Sequence, residues 1–314
     1  MIFFSKQKKL VLLFHRVTPV RDKMWDPMDP GLFEETLQYV QNKFHVIPLN
    51  ELLFDAPKTG SKPLASITFD DGYKDFITYS IPLLEKFSLP ASMFVVTDCI
   101  EKNIPTWTYI VDHIFEHTKK LHLDNFSFSY LSAEFRQTKW HDATERISYG
   151  KRFKQHLKWI SSDARNAIIE CLLFNFNDVE SPSGMMMSWD DIKQLNTAGF
   201  DVGSHSVTHP TLATVKNNAE LNYELEYSAK KIKERTNIES SVFSYPGGSY
   251  DERVKVFTKE AGYKAGLAVN RQLYSPLKND LFEIPRIELY NEAWYKTKLR
   301  INGTISFIEK IIRR

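Results

Sequence analysis

Ser66-Ile67-Thr68-Phe69-Asp70-Asp71-Gly72 sets two adjacent carboxylates at the end of a short apolar run. Paired carboxylates can divide a reaction between them, one holding a cation while the other moves a proton. Successive strand residues point to opposite sides, so Asp70 and Asp71 share one site only if the chain turns between them. Gly72 suits such a turn, because it takes backbone conformations that side chains forbid. The same letters also spell a surface turn. A second group, Gly203-Ser204-His205-Ser206-Val207-Thr208-His209-Pro210, carries two histidines four apart. In a helix or tight turn both imidazoles face one side, and with a carboxylate they suit zinc, or iron, cobalt or nickel. The third is Phe243-Ser244-Tyr245-Pro246-Gly247-Gly248-Ser249-Tyr250, where Pro246 fixes the chain. Gly247 and Gly248 let backbone N–H groups come close enough to a ligand to stabilise an oxyanion.

The elements that must position these groups follow from periodicity. Ala65–Phe69 reads as a strand buried on both faces, and so does Leu10–Phe14, which ends in His15-Arg16-Val17. Asp29-Pro30 supplies a cap and a first-turn proline for a helix whose apolar residues recur at Phe33, Leu37, Val40 and Phe44. Further strands are expected at His45–Leu49, Ser92–Val96, Phe200–Ser204, Val242–Tyr245, Tyr263–Val269 and Glu283–Leu289. Helices are expected from Gly72 to Phe87, with Pro82 kinking or restarting it, and at Leu221–Ile232 and Glu252–Ala261. Strands alternating with helices imply a parallel sheet, and the number of βα units favours an α/β barrel over an open sheet. No glycine-rich phosphate loop follows the first strand. All three chemical groups then fall at strand ends, the face on which such barrels concentrate their chemistry.

Residues from about 104 to 184 break this rhythm. They are rich in Phe, Trp, His and Lys and read as a mainly helical insertion, for example over Ala164–Phe174. The expected organisation is a barrel over residues 1–290, interrupted by that insertion, followed by a basic tail over 291–314. From Trp294 onward the tail carries six Lys or Arg residues against Glu309, with Ile305, Ile308 and Ile312 at helical spacing. It could lie on an anionic membrane, and a helix docked on the barrel explains it equally well.

The 314 residues include 42% hydrophobic and 25% charged positions, an ordinary globular balance. A net charge of +2 excludes a dedicated nucleic-acid binder. Two cysteines, Cys99 and Cys171, make neither a disulfide framework nor a metal-ligand pattern and read as buried thiols. The N-terminal stretch lacks the charge order and cleavage site of a secretory signal, and no run reaches a membrane span. The expected location is therefore cytoplasmic, at the inner face of the membrane if the tail binds there.

Taken together, Thr68-Phe69-Asp70-Asp71-Gly72, His205-Ser206-Val207-Thr208-His209 and Tyr245-Pro246-Gly247-Gly248 closely resemble the signature motifs of polysaccharide deacetylases, carbohydrate esterase family four with its NodB-homology domain. The flanks agree: Trp189-Asp190-Asp191-Ile192 before Ala198-Gly199-Phe200, and Glu260-Ala261-Gly262-Tyr263-Lys264-Ala265-Gly266 after the third motif. The resemblance spans about residues 8–100 and 186–290. It implies a distorted (β/α) barrel and metal-dependent removal of acetyl groups from N-acetylated sugars. By position, Asp71, His205 and His209 would hold a divalent metal, zinc first, with cobalt, nickel, manganese or iron as alternatives. Asp70 would be the general base for a metal-bound water, and Gly247, with Tyr245 and Pro246, would meet the oxyanion and substrate. The implied partner is an N-acetylated glycan or glycolipid of the bacterial surface.

The chain also departs from the family's commonest pattern. Ser244 stands where an arginine is usual, and no histidine follows His209 to serve as general acid. In a closed barrel the first and last strands are neighbours, so His15 can occupy the space of the missing histidine. Deacetylases of the poly-N-acetylglucosamine type resemble this arrangement. Arg286 in Ile284-Pro285-Arg286-Ile287 can likewise replace the missing arginine, pairing with Asp70 and keeping its pKa low. His15 as a strand-end structural histidine and Arg286 as a structural ion pair are the plainer readings. His113, His117 and His122 fall in the insertion and are not taken as ligands, and Met185-Met186-Met187 reads as packing. Trp107, Tyr109, Trp189 and Tyr250 could stack on a sugar, with packing as the default. Rival functions are an O-acetyl esterase or other amidase on the same fold, a non-haem iron oxygenase, and a silent glycan-binding module.

Overall fold

The computed structural model describes residues 8–57 and 61–305. Its strands are Leu10–Phe14 (β1), His45–Val46 (β2), Leu64–Phe69 (β3), Ser92–Val95 (β4), Asp201–Ser204 (β5), Val242–Ser244 (β6), Ala265–Leu267 (β7) and Ile287–Glu288 (β8). They pair in the order β7-β6-β5-β4-β3-β1-β8, with β2 beside β3, and every pairing is parallel. The sheet curls into a partial barrel wrapped by helices, the expected distorted (β/α) barrel. A parallel bridge between Leu267 and Ile284 ties β7 to the segment entering β8. Each residue of β1 and β4 is buried, as a sheet covered on both faces requires.

The strand ends are set by local chemistry. Leu49 begins a helix, Leu49–Phe54, instead of closing the strand expected at His45–Leu49. Pro48 precedes it and has no N–H for a sheet ladder. The late strands are also shorter than their apolar runs. Pro285 interrupts the last one, so β8 proper covers only Ile287–Glu288. Beyond Gly72 the expected helix splits into a π turn, Phe76–Ser80, and an α-helix, Ile81–Lys86, with Pro82 in its first turn. Leu221–Ile232 likewise resolves into Asn218–Asn222, a π turn at Tyr223–Tyr227, and Ser228–Thr236.

Behind the strand ends an aromatic layer fixes the register. Asp29 accepts a hydrogen bond from the Gly31 N–H and starts the helix Pro30–Lys43, which buries Phe33, Leu37 and Val40. Phe33 packs edge-on against Phe14 at 5.1 Å, and Phe14 stacks on Phe69 at 5.2 Å. Phe14 is the register partner of Phe69, so the residues that follow them, His15 and Asp70, emerge side by side. The Asp70 N–H donates to the Phe14 carbonyl at 3.1 Å.

The insertion between β4 and β5 includes three α-helices, Trp107–His117, Ala143–Leu157 and Ser162–Asn175. They share a cluster that includes Val111, Phe115, Tyr149, Phe153, Leu172 and Phe176. Met186 and Met187 are buried in the barrel core. Cys99 is buried and Cys171 half-buried, and both are free. After the barrel, the helix Trp294–Ile301 buries Thr297 and Ile301. Trp294 packs edge-on against Tyr39 of the Pro30–Lys43 helix. Ile308 and Ile312 lie outside the described residues. Among the described residues no helix is long and apolar enough to cross a membrane.

Gly203 in β5 lets that strand lie against Phe94 of β4. A Cβ there would sit 2.3 Å from the Phe94 ring and 3.0 Å from the Val242 carbonyl oxygen. Gly203→Ala should therefore cost about 1–3 kcal/mol as an overpacked core position. A lowered denaturation midpoint is the expected result, and an unchanged midpoint would show that β4 and β5 can part freely.

Candidate active site

Asp70 and Asp71 reach one site because the chain turns between them. Asp71 has φ +78° and Gly72 φ +92°, so the strand breaks at its last carboxylate. Asp70 is held by two side chains, Arg286 and Ser244. Arg286, just before β8, donates Nη1 to Oδ1 at 2.9 Å and Nη2 to Oδ2 at 2.7 Å. Ser244 at the end of β6 donates its hydroxyl to Oδ2 at 3.0 Å and accepts from Arg286 Nη2 at 2.8 Å. Arg286 is itself buried, and its Nε donates to the Ala268 carbonyl at 3.2 Å. Burial alone would raise the Asp70 pKa, but the Arg286 charge, followed by His205, overrides it and holds the carboxyl well below its usual range.

Asp71 sits against the two histidines. Its Oδ1 lies 3.5 Å from Nε2 of His205 and 3.5 Å from Nε2 of His209. That oxygen is buried and has no hydrogen-bond partner. The histidine segment is a tight turn and not a helix. Ser206 and His209 take left-handed backbone angles, φ +69° and +60°. The His209 N–H donates to the Ser206 hydroxyl at 3.0 Å. Glu224, in the second π turn, accepts from the N–H groups of Val207 and Thr208 at 2.8 and 2.9 Å and from the Thr208 hydroxyl at 2.6 Å. π turns recur at functional positions, and this one directs a buried carboxylate under the loop.

This donor set fits a divalent cation. Asp71, His205 and His209 are the one group among the described residues whose ligand atoms gather within 4.8 Å of one another. His205 Nδ1 contacts the Ser244 carbonyl at 2.7 Å, which fixes the proton on Nδ1 and leaves Nε2 with its lone pair toward Asp71. For His205 burial pushes the pKa down, yet Asp70 and then Asp71 more than offset it, so the net shift is upward. For His209 burial dominates and the value falls to about 3, so it stays a neutral donor. The field of the two carboxylates favours positive charge where the histidines converge, and an orphaned carboxylate oxygen there is satisfied by a cation.

A cavity of about 760 Å³ opens over this floor, reaching Asp70, Asp71, His209, His15, Pro246 and Gly247. His15 lies beside Asp70, as strand closure requires: Leu12 and Leu13 of β1 pair with Ile287 and Glu288 of β8. Its Nδ1 is 3.9 Å from Glu288 Oε1, and Trp25 packs edge-on against its ring at 5.0 Å. Gly247 takes φ +59° at the cavity edge. Tyr245 goes elsewhere, a correction to its expected place among substrate-binding side chains. Its ring is buried among Phe243, Tyr250 and Tyr263, and its hydroxyl donates to the Phe282 carbonyl at 3.0 Å. Trp107 and Tyr109 line the cavity, while Trp189 and Tyr250 do not. His113, His117 and His122 stay outside the cluster.

Sequence reasoning missed several participants. Glu288 follows Arg286 by two in the stretch expected to be a strand, so alternation alone would have put it on the same face. Trp25 and Glu224 carry no such signal. Trp107 Nε1 donates to the His209 carbonyl at 2.8 Å, so the insertion braces a residue of the histidine turn. Lys154 is paired with Asp112 at the cavity wall.

Comparison with known proteins agrees with this fold. The family model described as polysaccharide deacetylase matches residues 57–266. The chain belongs to the polysaccharide deacetylase family, and it is a deacetylase. No curated protein sequence matches it significantly. Among solved structures it is similar to the Streptococcus pyogenes deacetylase PplD in complex with acetate, at 16% identity and a TM-score of 0.62, covering 94% of this chain and 97% of that one. It is also similar to IcaB from Ammonifex degensii, at 15% identity and a TM-score of 0.60, over 95% and 97% of the two chains. A third is the de-N-acetylase from Aggregatibacter actinomycetemcomitans, at 13% identity and a TM-score of 0.57, over 94% and 99%. These likenesses are of fold.

Asp71→Ala and His205→Ala should weaken zinc binding at least about tenfold, while Asp70→Asn should retain it. Competition against a zinc-chelating dye reads both. Equal affinity in wild type and Asp71→Ala would move the metal away from this turn.

Proposed function

We propose that the chain is a metal-dependent N-deacetylase acting on an N-acetylated sugar of a surface glycan or of its lipid-linked precursor. One observation supports this above the rest: a buried Asp-His-His donor set shares a cavity floor with a second carboxylate that is kept ionised by its own arginine. In this reading Asp71, His205 and His209 hold the cation. When bound, a divalent ion supplies Lewis acidity, making water a better nucleophile and polarising the acetyl carbonyl.

The residues of the chain do the rest. Asp70 takes the proton of the attacking water. Its Oδ1 accepts one bond from Arg286 and so keeps a lone pair for that proton. A carboxylate so strongly stabilised is a weak base, which is why it needs an acidified water. The Gly247 N–H stabilises the oxyanion as the carbonyl carbon becomes tetrahedral. His15, oriented by Trp25 and Glu288, gives a proton to the nitrogen as the C–N bond breaks. Acetate and a free amine leave, so the glycan gains positive charge. Arg286 and Ser244 position Asp70, filling the place of the arginine that the third motif lacks.

Acetate release from N-acetylglucosamine oligomers should fall by about 10²–10⁴-fold in Asp70→Asn and in His15→Ala, each losing one proton-transfer group. Chelation should abolish release and added zinc should restore it. Full activity in Asp70→Asn would remove it as the base. An unchanged pH profile in His15→Ala would place the proton donor elsewhere. Oxygen consumption without acetate would instead favour an oxygenase.

A further inference from the structure

The wall of the cavity opposite the barrel floor comes from the insertion and brings two lysines, Lys154 and Lys158. They are not equivalent. Lys154 is buried and paired with Asp112. Lys158 caps the same helix one turn further on and is half-buried, and its ammonium makes no hydrogen bond or salt bridge among the described residues. Burial pushes its pKa below the ordinary lysine value, and Lys154 adds to that, while the more distant Glu288 and Asp112 oppose it only in part. Lys158 and His209 line the same cavity.

Each carboxylate of the cavity faces another group, Asp71 the two histidines. Asp70 belongs to Arg286, Asp112 to Lys154, and Glu288 receives the Tyr290 hydroxyl and faces His15. A partly desolvated ammonium without a partner is unfavourable in the free protein and is relieved by an anionic ligand. We propose that Lys158 is an anion-recognition residue, taking a phosphoryl group carried by the same N-acetyl sugar whose acetyl group lies over Asp70 and Asp71. An ammonium offers three donors around one compact charge and meets a phosphoryl group, with its full negative charge and several oxygens, as a point charge. The preferred substrate class is then a sugar phosphate or diphosphate, as in a nucleoside diphosphate sugar or a lipid diphosphate sugar, over a neutral oligomer. This rests on the deacetylase reading for where the acetyl group sits, but the phosphoryl contact can be measured without turnover.

Zinc-loaded protein is titrated calorimetrically with N-acetylglucosamine 1-phosphate and with the neutral methyl glycoside of N-acetylglucosamine. The phosphate should bind at least about tenfold tighter, with the advantage shrinking as salt is added. Lys158→Gln and Lys158→Met should each collapse that ratio, and Lys158→Arg should keep most of it, with melting curves confirming that all three fold. Because phosphate can also meet zinc directly, the ratio in the variants decides: a ratio unchanged by both neutral substitutions overturns the proposal. Acetate release from UDP-N-acetylglucosamine and from a short-chain polyprenyl diphosphate N-acetylglucosamine then separates the nucleotide from the lipid source. Acetate from neither, nor from neutral sugars, with the binding ratio still dependent on Lys158, would sink the deacetylase reading and leave the subsite standing.

Discussion

The ion pair between Arg286 and Asp70 is the constraint that the barrel is built to meet. Two charges are taken out of water, and the desolvation this costs is recovered only with good geometry and full hydrogen bonding. Both conditions hold: the guanidinium meets both carboxylate oxygens, and its remaining donors reach Ala268, Thr68 and Ser244. Such a pair is poor evidence for stability, because apolar residues of similar volume usually do as well or better, whereas losing one partner costs about 3–5 kcal/mol. Its presence makes sense if a carboxylate must stay ionised in a dry site. The pair also requires closure. Arg286 reaches Asp70 only because β8 lies beside β1, and β1 beside β3.

Around that pair the backbone is strained where function needs it. Asp71, Ser206 and His209 all occupy left-handed conformations, each costing on the order of 1–3 kcal/mol for a residue with a side chain. Such angles persist only when neighbours fix them. Glu224 does so for the histidine turn with three hydrogen bonds, and Trp107 does so from the insertion through the His209 carbonyl. Three donors that would otherwise spread along two loops are thereby gathered within one ligand shell.

What was legible in the sequence tracks the range over which each interaction acts. The motifs, the βα rhythm, the Asp29-Pro30 helix start and the helical insertion are local, and periodicity exposes them. The turn at Asp71 could be inferred, because two adjacent strand residues cannot otherwise face one site. His15 and Arg286 became visible only by adding a topological rule, the adjacency of first and last strands. Glu224, Trp25 and Lys158 were not legible, since a buried carboxylate on a helix or a lysine at a helix end has no signature until tertiary packing points it somewhere. Tyr245 shows the converse. It lies inside a recognisable motif, yet its ring leaves the cavity to pack with Phe243 and Tyr263, because strand alternation and a hydrogen bond to Phe282 decide where it goes.

The same logic separates the tasks of barrel and insertion. Strand ends are rigid and set to fractions of an ångström by the ladder, so they suit groups that must meet reacting atoms. The insertion packs around its own aromatic cluster and touches the site through Trp107, Tyr109, Lys154 and Lys158, so its sequence can change without disturbing the sheet. The division is incomplete at one point. The Trp107–His209 hydrogen bond ties the insertion to the turn that carries the two histidines, so a substitution that repacks the insertion around Trp107 alters that turn as well as the pocket. Arg165, buried and stacked over the Trp107 ring at 4.6 Å, holds that indole from behind and extends the coupling into the insertion's own core.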